Sequence, residues 1–98
     1  MAQTTYIAAT GNSATSATIT LAAGETISVH ATEELTGSER VVLLQSSDDG
    51  SSFRALTGAI NNNGTVLDQY INRNTVTGPG IFQLQKTITS ASIAVKGG

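Results

Sequence analysis

The fold class is decided by the stretch Val41-Val42-Leu43-Leu44-Gln45-Ser46-Ser47-Asp48-Asp49-Gly50-Ser51-Ser52-Phe53. Its first four residues form an unbroken apolar run, which is typical of a central strand covered on both faces. The Asp-Gly pair that follows tolerates the positive φ angles of a tight hairpin turn. We therefore predict a β-hairpin here, whose returning strand spans residues 53–57 and opens on an aromatic side chain.

Outward from this hairpin, apolar residues recur with period two and not with a helical period. The segment 25–31 alternates most regularly, with Ile27, Val29 and Ala31 on one side and His30 on the other. The remaining candidate strands are residues 4–9, 17–21, 40–46, 65–71, 81–86 and 92–96. Short strands separated by regular turn signals predict an all-β chain. We expect a single small antiparallel β-sandwich (or barrel) of about seven to eight strands.

Polar segments connect these strands. Residues 32–39 are interpreted as a connection, and Asn63-Gly64 is a second hairpin signal. Residues 72–80 are interpreted as a loop that closes on Gly78-Pro79-Gly80, a sequence suited to a type II turn. The segment 65–71 could bury either Val66 and Tyr70 or Leu67 and Ile71, so its faces stay open.

The large apolar residues of these strands supply the predicted core. It comprises Ile19, Leu21, Ile27, Val29, Val41, Leu43, Phe53, Phe82, Leu84, Ile93 and Val95. Residues 1–16 contain few large apolar side chains, so we expect an extended N-terminal arm that pairs with a neighbour's sheet edge, followed by a β-sandwich domain at 17–98. So small a core leaves a thin margin of stability, which makes oligomerisation or docking on a larger surface a reasonable source of further burial.

Composition narrows the function classes. Charged residues are 12 % of the 98 residues and the net charge is −2, which argues against an electrostatic contact with nucleic acid or a membrane surface. The chain has no cysteine, which removes thiol chemistry and disulfides. The first five residues lack the basic and then apolar pattern of a signal peptide.

Few residues are candidates for chemistry. His30 is the single histidine and belongs to the polar side of its strand, so a solvated side chain is the simpler interpretation. Asp48-Asp49-Gly50 resembles part of a calcium loop but lacks the closing glutamate. The cluster Glu33, Glu34 and Glu39 lies in a polar connection, where burial of a carboxyl is not expected. We therefore predict no enzyme, no catalytic residues, no metal site and no cofactor.

Three stretches of the chain resemble a known class of proteins. The stretch 41–53 resembles a hairpin that recurs in small virion proteins of tailed bacteriophages, and residues 78–84 and 90–95 resemble their closing strands. The chain is similar to capsid decoration (cement) proteins in its length, in its richness in Thr, Ser, Ala and Gly, and in its lack of cysteine. The resemblance implies a structural virion protein on the outer capsid surface, bound to the major capsid protein. It also implies a homo-oligomer, with a trimer favoured, and no catalytic residue.

A second function class stays open. Sugar-binding modules use exposed aromatic side chains beside carboxylates and amides. One group fits that description, namely Tyr70 beside Asp68 with Asn72 and Asn74 following. The alternative is therefore a small carbohydrate- or receptor-binding β-sandwich of a fibre, tail or adhesion protein.

Overall fold

Every regular element in the described residues is a β-strand, as the sequence predicts. The computed structural model of the protein describes residues 3–46, 50–55 and 65–98. The strands are β1 (Thr4–Thr10), β2 (Ala14–Thr15), β3 (Ile19–Leu21), β4 (Thr26–Ala31), β5 (Val41–Ser46), β6 (Arg54–Ala55), β7 (Thr65–Leu67), β8 (Arg73–Thr77), β9 (Gly80–Lys86) and β10 (Ile93–Gly97). They form two antiparallel sheets, so the predicted small β-sandwich is confirmed. The described part of the chain contains no helix long and apolar enough to cross a membrane.

The four-stranded sheet has the order β1-β10-β4-β8. Its β10 lies between two strands from the first third of the chain, with Val95 paired to Ile7 on one side and to Ala31 on the other. β4 then pairs with the whole length of β8, from Thr26↔Thr77 to His30↔Arg73. Each of these neighbours is distant in sequence, so the sheet depends on contacts that only the folded chain can make.

The six-stranded sheet has the order β2-β9-β5-β6, with β3 also beside β9 and β7 beside β5. β5 and β9 pair without interruption from Val41↔Lys86 to Ser46↔Ile81. The returning strand of the predicted hairpin is β6, and Gly50 has the positive φ of 93° that an Asp-Gly turn requires. Asp48, Asp49 and Asn63-Gly64 lie outside the described residues.

The core lies between the two sheets and contains most of the predicted residues. Those confirmed as buried are Leu21, Val29, Val41, Leu43, Phe82, Leu84, Ile93 and Val95. Ile19 and Ile27 are half-buried against this core, and Phe53 is half-buried. The core also contains residues that were not predicted, namely Ile7, Leu35 and Val76. In the segment 65–71, Val66 and Leu67 are both fully buried, Ile71 is half-buried against the core and Tyr70 is exposed, so neither of the two expected faces is buried alone.

The N-terminal segment is part of the sandwich, where an extended arm was expected. β1 pairs with β10 of its own chain, and Ile7 is only 4 % exposed. The Ser16 hydroxyl accepts the Leu84 N–H at 2.9 Å, so the expected boundary at residue 16 falls inside a packed region. Ile7, which is paired with Val95 and buried, anchors this segment together with the backbone pairing of β1 to β10. Composition alone predicts that the segment packs weakly.

Residues 73–77 form a strand where a loop was expected. β8 is an edge strand on β4, and Val76 is its one large apolar side chain, so the hydrophobic pattern carried no clear signal. After β8 the chain crosses to the other sheet through Gly78-Pro79, whose peptide bond is cis. A Cβ on Gly78 would lie 2.5 Å from the Ala22 carbonyl oxygen, so only glycine fits at this crossing.

Candidate functional site

Four connections meet at one end of the sandwich, which we call the loop end: residues 11–13, 32–40, 68–72 and 87–92. The strand pairings Val41↔Lys86 and Val41↔Leu67 place the start of β5 beside the ends of β9 and β7. The pairing His30↔Arg73 places the end of β4 beside the start of β8. The two exposed large hydrophobic side chains of the described residues, Tyr70 at 84 % and Ile88 at 72 % exposure, lie in these connections.

A groove of about 500 Å³ opens at the loop end between residues 31–35 and residues 68–72. Its lining residues are Ala31, Thr32, Glu33, Glu34, Leu35, Asp68, Gln69, Tyr70 and Asn72. Leu35 belongs to the lining but is buried at 2 % exposure, whereas Glu33, Glu34 and Asn72 are exposed. The volume lies within the roughly 300–1,000 Å³ that is typical of small-ligand sites.

Asp68 fixes the turn that carries Tyr70. Its Oδ1 accepts the N–H of Tyr70 at 2.8 Å and the N–H of Ile71 at 3.0 Å, and its own N–H donates to the Ile71 carbonyl at 2.9 Å. An aspartate that accepts N–H groups two and three residues on is the side-chain turn typical of this residue. Leu67 and Ile71 pack into the core on either side. The turn is thus anchored at both ends while the Tyr70 ring extends into solvent.

Three members of the predicted sugar-binding group meet in the groove: Tyr70, Asp68 and Asn72. Asn74 does not join them, because its Nδ2 donates to the Val66 carbonyl at 3.1 Å and its Oδ1 accepts the Thr75 N–H at 2.8 Å. The groove also gains Gln69 and Leu35, neither of which was predicted to belong to a site. Leu35 could have been noticed as a lone large apolar residue in a polar connection.

The charge of the groove is negative. Glu33, Glu34 and Asp68 line it, and the described lining contains no Lys, Arg or His. Glu33 and Glu34 are solvated as expected, yet they face the same space as Tyr70. No group of three or more His, Cys, Asp or Glu side chains in the described ranges could hold a metal ion. The groove therefore offers hydrogen-bond acceptors and an aromatic ring, not a built cation site.

Glu39, the third member of the acidic cluster, has a structural role in the loop end. Its carboxylate accepts the Thr36 N–H at 2.9 Å and the Ser90 N–H at 2.7 Å. These two backbone hydrogen bonds, that from Thr36 first, hold the pKa of Glu39 below its ordinary value. Glu39 thereby connects the 32–40 segment to the 87–92 segment.

Lys86 is the buried polar residue that sequence reasoning missed. Its side chain is 0 % exposed, and its Nζ donates to the Asn12 carbonyl, the Thr87 carbonyl and the Thr89 hydroxyl at 2.8, 3.1 and 3.0 Å. Burial lowers the pKa of Lys86, and the nearby Glu39 charge opposes that shift. A lysine is rarely placed inside on sequence grounds because it is almost never fully buried unless it is paired.

His30 lies away from the groove lining. It is half-buried on β4, and its cross-strand neighbours on the four-stranded sheet are Lys96 and Arg73. The position agrees with the predicted polar side of the strand.

Comparisons with known protein families, with curated proteins and with solved structures give no match to this chain.

Proposed function

We propose that this chain is a non-catalytic structural virion protein that binds the outer capsid surface and stabilises the head, as a decoration (cement) protein. The observation that carries the proposal is the outward side of β5. Val41 and Leu43 point into the core, which places Val42 and Leu44 on the outer side of the six-stranded sheet. Apolar side chains on both sides of a strand favour a sheet that is covered on both faces, here by the core on one face and by a partner on the other.

The outer face is formed by the outward residues of β5 and β9: Val42, Leu44, Ser46, Ile81, Gln83 and Gln85. The pairings Val42↔Gln85, Leu44↔Gln83 and Ser46↔Ile81 place these side chains in adjacent rows. Val42 is buried at 9 % exposure, whereas Leu44 and Ile81 are half-buried, so the accessible apolar area of this face belongs to Leu44 and Ile81. Uncharged amides beside aliphatic side chains are compatible with a broad contact made of many weak interactions.

The partner in this proposal is the major capsid protein, and the oligomer is a homotrimer on the virion surface. A sandwich that retains accessible apolar area on one sheet gains stability when that area is covered. Several copies bound at once also strengthen a contact that is weak in each copy. The protein would be made in the host cytoplasm and added to the outside of the head.

Co-sedimentation with empty capsids tests the proposal. We expect the Leu44→Thr/Ile81→Thr variant to bind capsids about thirtyfold less tightly, because the two substitutions together remove about 2 kcal/mol of apolar burial. The control is Ile88→Thr, which makes the same chemical change at the loop end and should bind like the unmodified protein. Thermal melting checks that all three proteins are folded.

Two results would overturn the capsid role. One is full capsid occupancy by a folded Leu44→Thr/Ile81→Thr variant. The other is failure of the unmodified protein to co-sediment with capsids at any ratio. A sedimentation-velocity run on the free protein, in which we expect a trimer, tests the oligomeric state separately.

A further inference from the structure

We infer that the groove at the loop end binds an uncharged saccharide, with the Tyr70 ring as its stacking surface. This inference goes beyond the capsid role, because the groove and the outer face of the six-stranded sheet share no residue. Each can therefore fail without the other. In a head-bound protein, the groove would give the virion a contact with glycans.

The first support is the exposure of Tyr70. A tyrosine that is 84 % exposed contributes almost nothing to the core, and it stands on a turn that Asp68 holds with two hydrogen bonds. An aromatic ring presented by a preorganised turn loses little conformational entropy when a ligand covers it. Sugar rings have an apolar face of C–H groups that matches such a flat, amphipathic surface.

The second support is the set of polar groups around the ring. Asn72 and Gln69 offer both donors and acceptors, and the carboxylates of Glu33, Glu34 and Asp68 are acceptors. Saccharide hydroxyl groups donate and accept, so they can satisfy both kinds of group at once. A few placed polar groups beside an apolar surface are what small-ligand sites use to fix orientation.

The third support is charge, which restricts the class of saccharide. Three carboxylates line the groove, and no cationic side chain of the described lining compensates them. A uronic or sialic acid would bring a further negative charge into the same space, where like charges repel. A neutral saccharide avoids that repulsion and keeps every hydrogen bond. The groove should therefore discriminate against acidic sugars.

An NMR titration of the ¹⁵N-labelled full chain tests the inference. The probes are maltotriose, cellobiose, lactose and N,N′-diacetylchitobiose, with digalacturonic acid as the acidic saccharide and trilysine as a cationic peptide. We expect at least one neutral probe to shift the backbone amides of residues 33–35 and 68–72, with a Kd on the order of 1 mM. Digalacturonic acid should bind at least about tenfold more weakly.

Variants separate the stacking surface from the surrounding protein. Tyr70→Ala should weaken binding about tenfold while the protein stays folded, because its ring contacts little of the core. Tyr70→Phe should retain most of the affinity, and the control Ile88→Ala should retain all of it. The inference is overturned if no neutral probe shifts these amides. It is equally overturned if digalacturonic acid or trilysine binds as well as the best neutral probe, or if Tyr70→Ala binds like the unmodified protein.

Discussion

At the scale of the residue, Lys86 shows how a charge can hold loops together from inside. An ammonium group has three protons, and Lys86 donates one each to Asn12, Thr87 and Thr89. The Thr89 hydroxyl in turn donates to the Ala91 carbonyl at 2.7 Å. The buried charge is thus fully hydrogen-bonded, which is the condition under which burial is tolerated.

Replacing Lys86 with methionine should destabilise the fold by about 1–3 kcal/mol, because the buried carbonyl and hydroxyl groups lose their donor. Urea unfolding measures the change. The matched control is Lys96→Met, whose side chain is half-buried and makes none of these contacts; it should stay within about 0.5 kcal/mol of the unmodified protein. Equal losses in the two variants would contradict the role assigned to the Lys86 ammonium.

Glu39 predicts the sign of a pH effect. A carboxylate whose pKa is lowered on folding stabilises the protein above its ordinary pKa, and this contribution is lost as the pH falls through the lower, folded value. Melting temperatures of the unmodified protein and Glu39→Gln, measured from pH 6 to pH 3, should therefore differ most above the ordinary pKa of 4.5 and converge as the pH falls through the lower, folded value. The glutamine keeps an acceptor oxygen but does not titrate. Two curves that remain parallel over that range would contradict this assignment.

At the scale of the element, the sequence predicts strands best where two signals agree. β5 and β9 combine apolar residues with flanking turn chemistry, and both were predicted nearly to their bounds. β8 offers a single large apolar residue, Val76, within a polar segment, so pairing to β4 and not its own pattern makes it a strand. Whether such a segment forms a strand depends on the strand that pairs with it. The local sequence pattern does not show which strand will be its neighbour.

The candidate site likewise combines residues that local sequence could group with residues that only the fold brings together. Tyr70, Asp68 and Asn72 are close in sequence, so their grouping was predictable, whereas Glu33, Glu34 and Leu35 join them from a different connection. That approach depends on β4 and β7 ending at the same end of the sandwich. No local pattern contains this information, because it is set by the strand order of both sheets.

β1 provides a test of the corrected N-terminal assignment. Ile7→Ala should cost about 2–4 kcal/mol in the free energy of unfolding, since Ile7 is buried in the core opposite Val95. Thr5→Ala, at an exposed position on the same strand, should change it by less than about 0.5 kcal/mol. If Ile7→Ala is as stable as Thr5→Ala, the segment behaves as an arm in solution and not as a strand.

At the scale of the whole molecule, the low charge density restricts how a large partner is bound. The outer face of the six-stranded sheet has no charged side chain among its six residues. Attraction between exposed charges falls off over the Debye length, which is about 4 Å at roughly 0.5 M salt. Contacts made by aliphatic side chains and amides do not depend on that screening.

Capsid binding should therefore change by less than about threefold between roughly 0.05 M and roughly 0.5 M salt, because apolar burial and not long-range attraction provides the affinity. A series of co-sedimentation experiments across that range measures it. Alanine variants of His30, Glu33 and Glu34, measured in the same series, should bind like the unmodified protein. A steep loss of occupancy with salt, or its abolition by one of these variants, would favour a discrete charged contact instead.

The position of β10 between β1 and β4 also sets an order of events during translation. Gly97 of β10 pairs with Thr4 of β1 on one side and with Val29 of β4 on the other. In the described chain β1 therefore has no strand partner until β10 has left the ribosome. The edge of β1 therefore stays unpaired while the residues between β1 and β10 are synthesised, which slows folding and favours contacts between neighbouring nascent chains. β1 contains three threonines and a single large aliphatic side chain, Ile7, which lowers the tendency of its unpaired edge to associate with other chains.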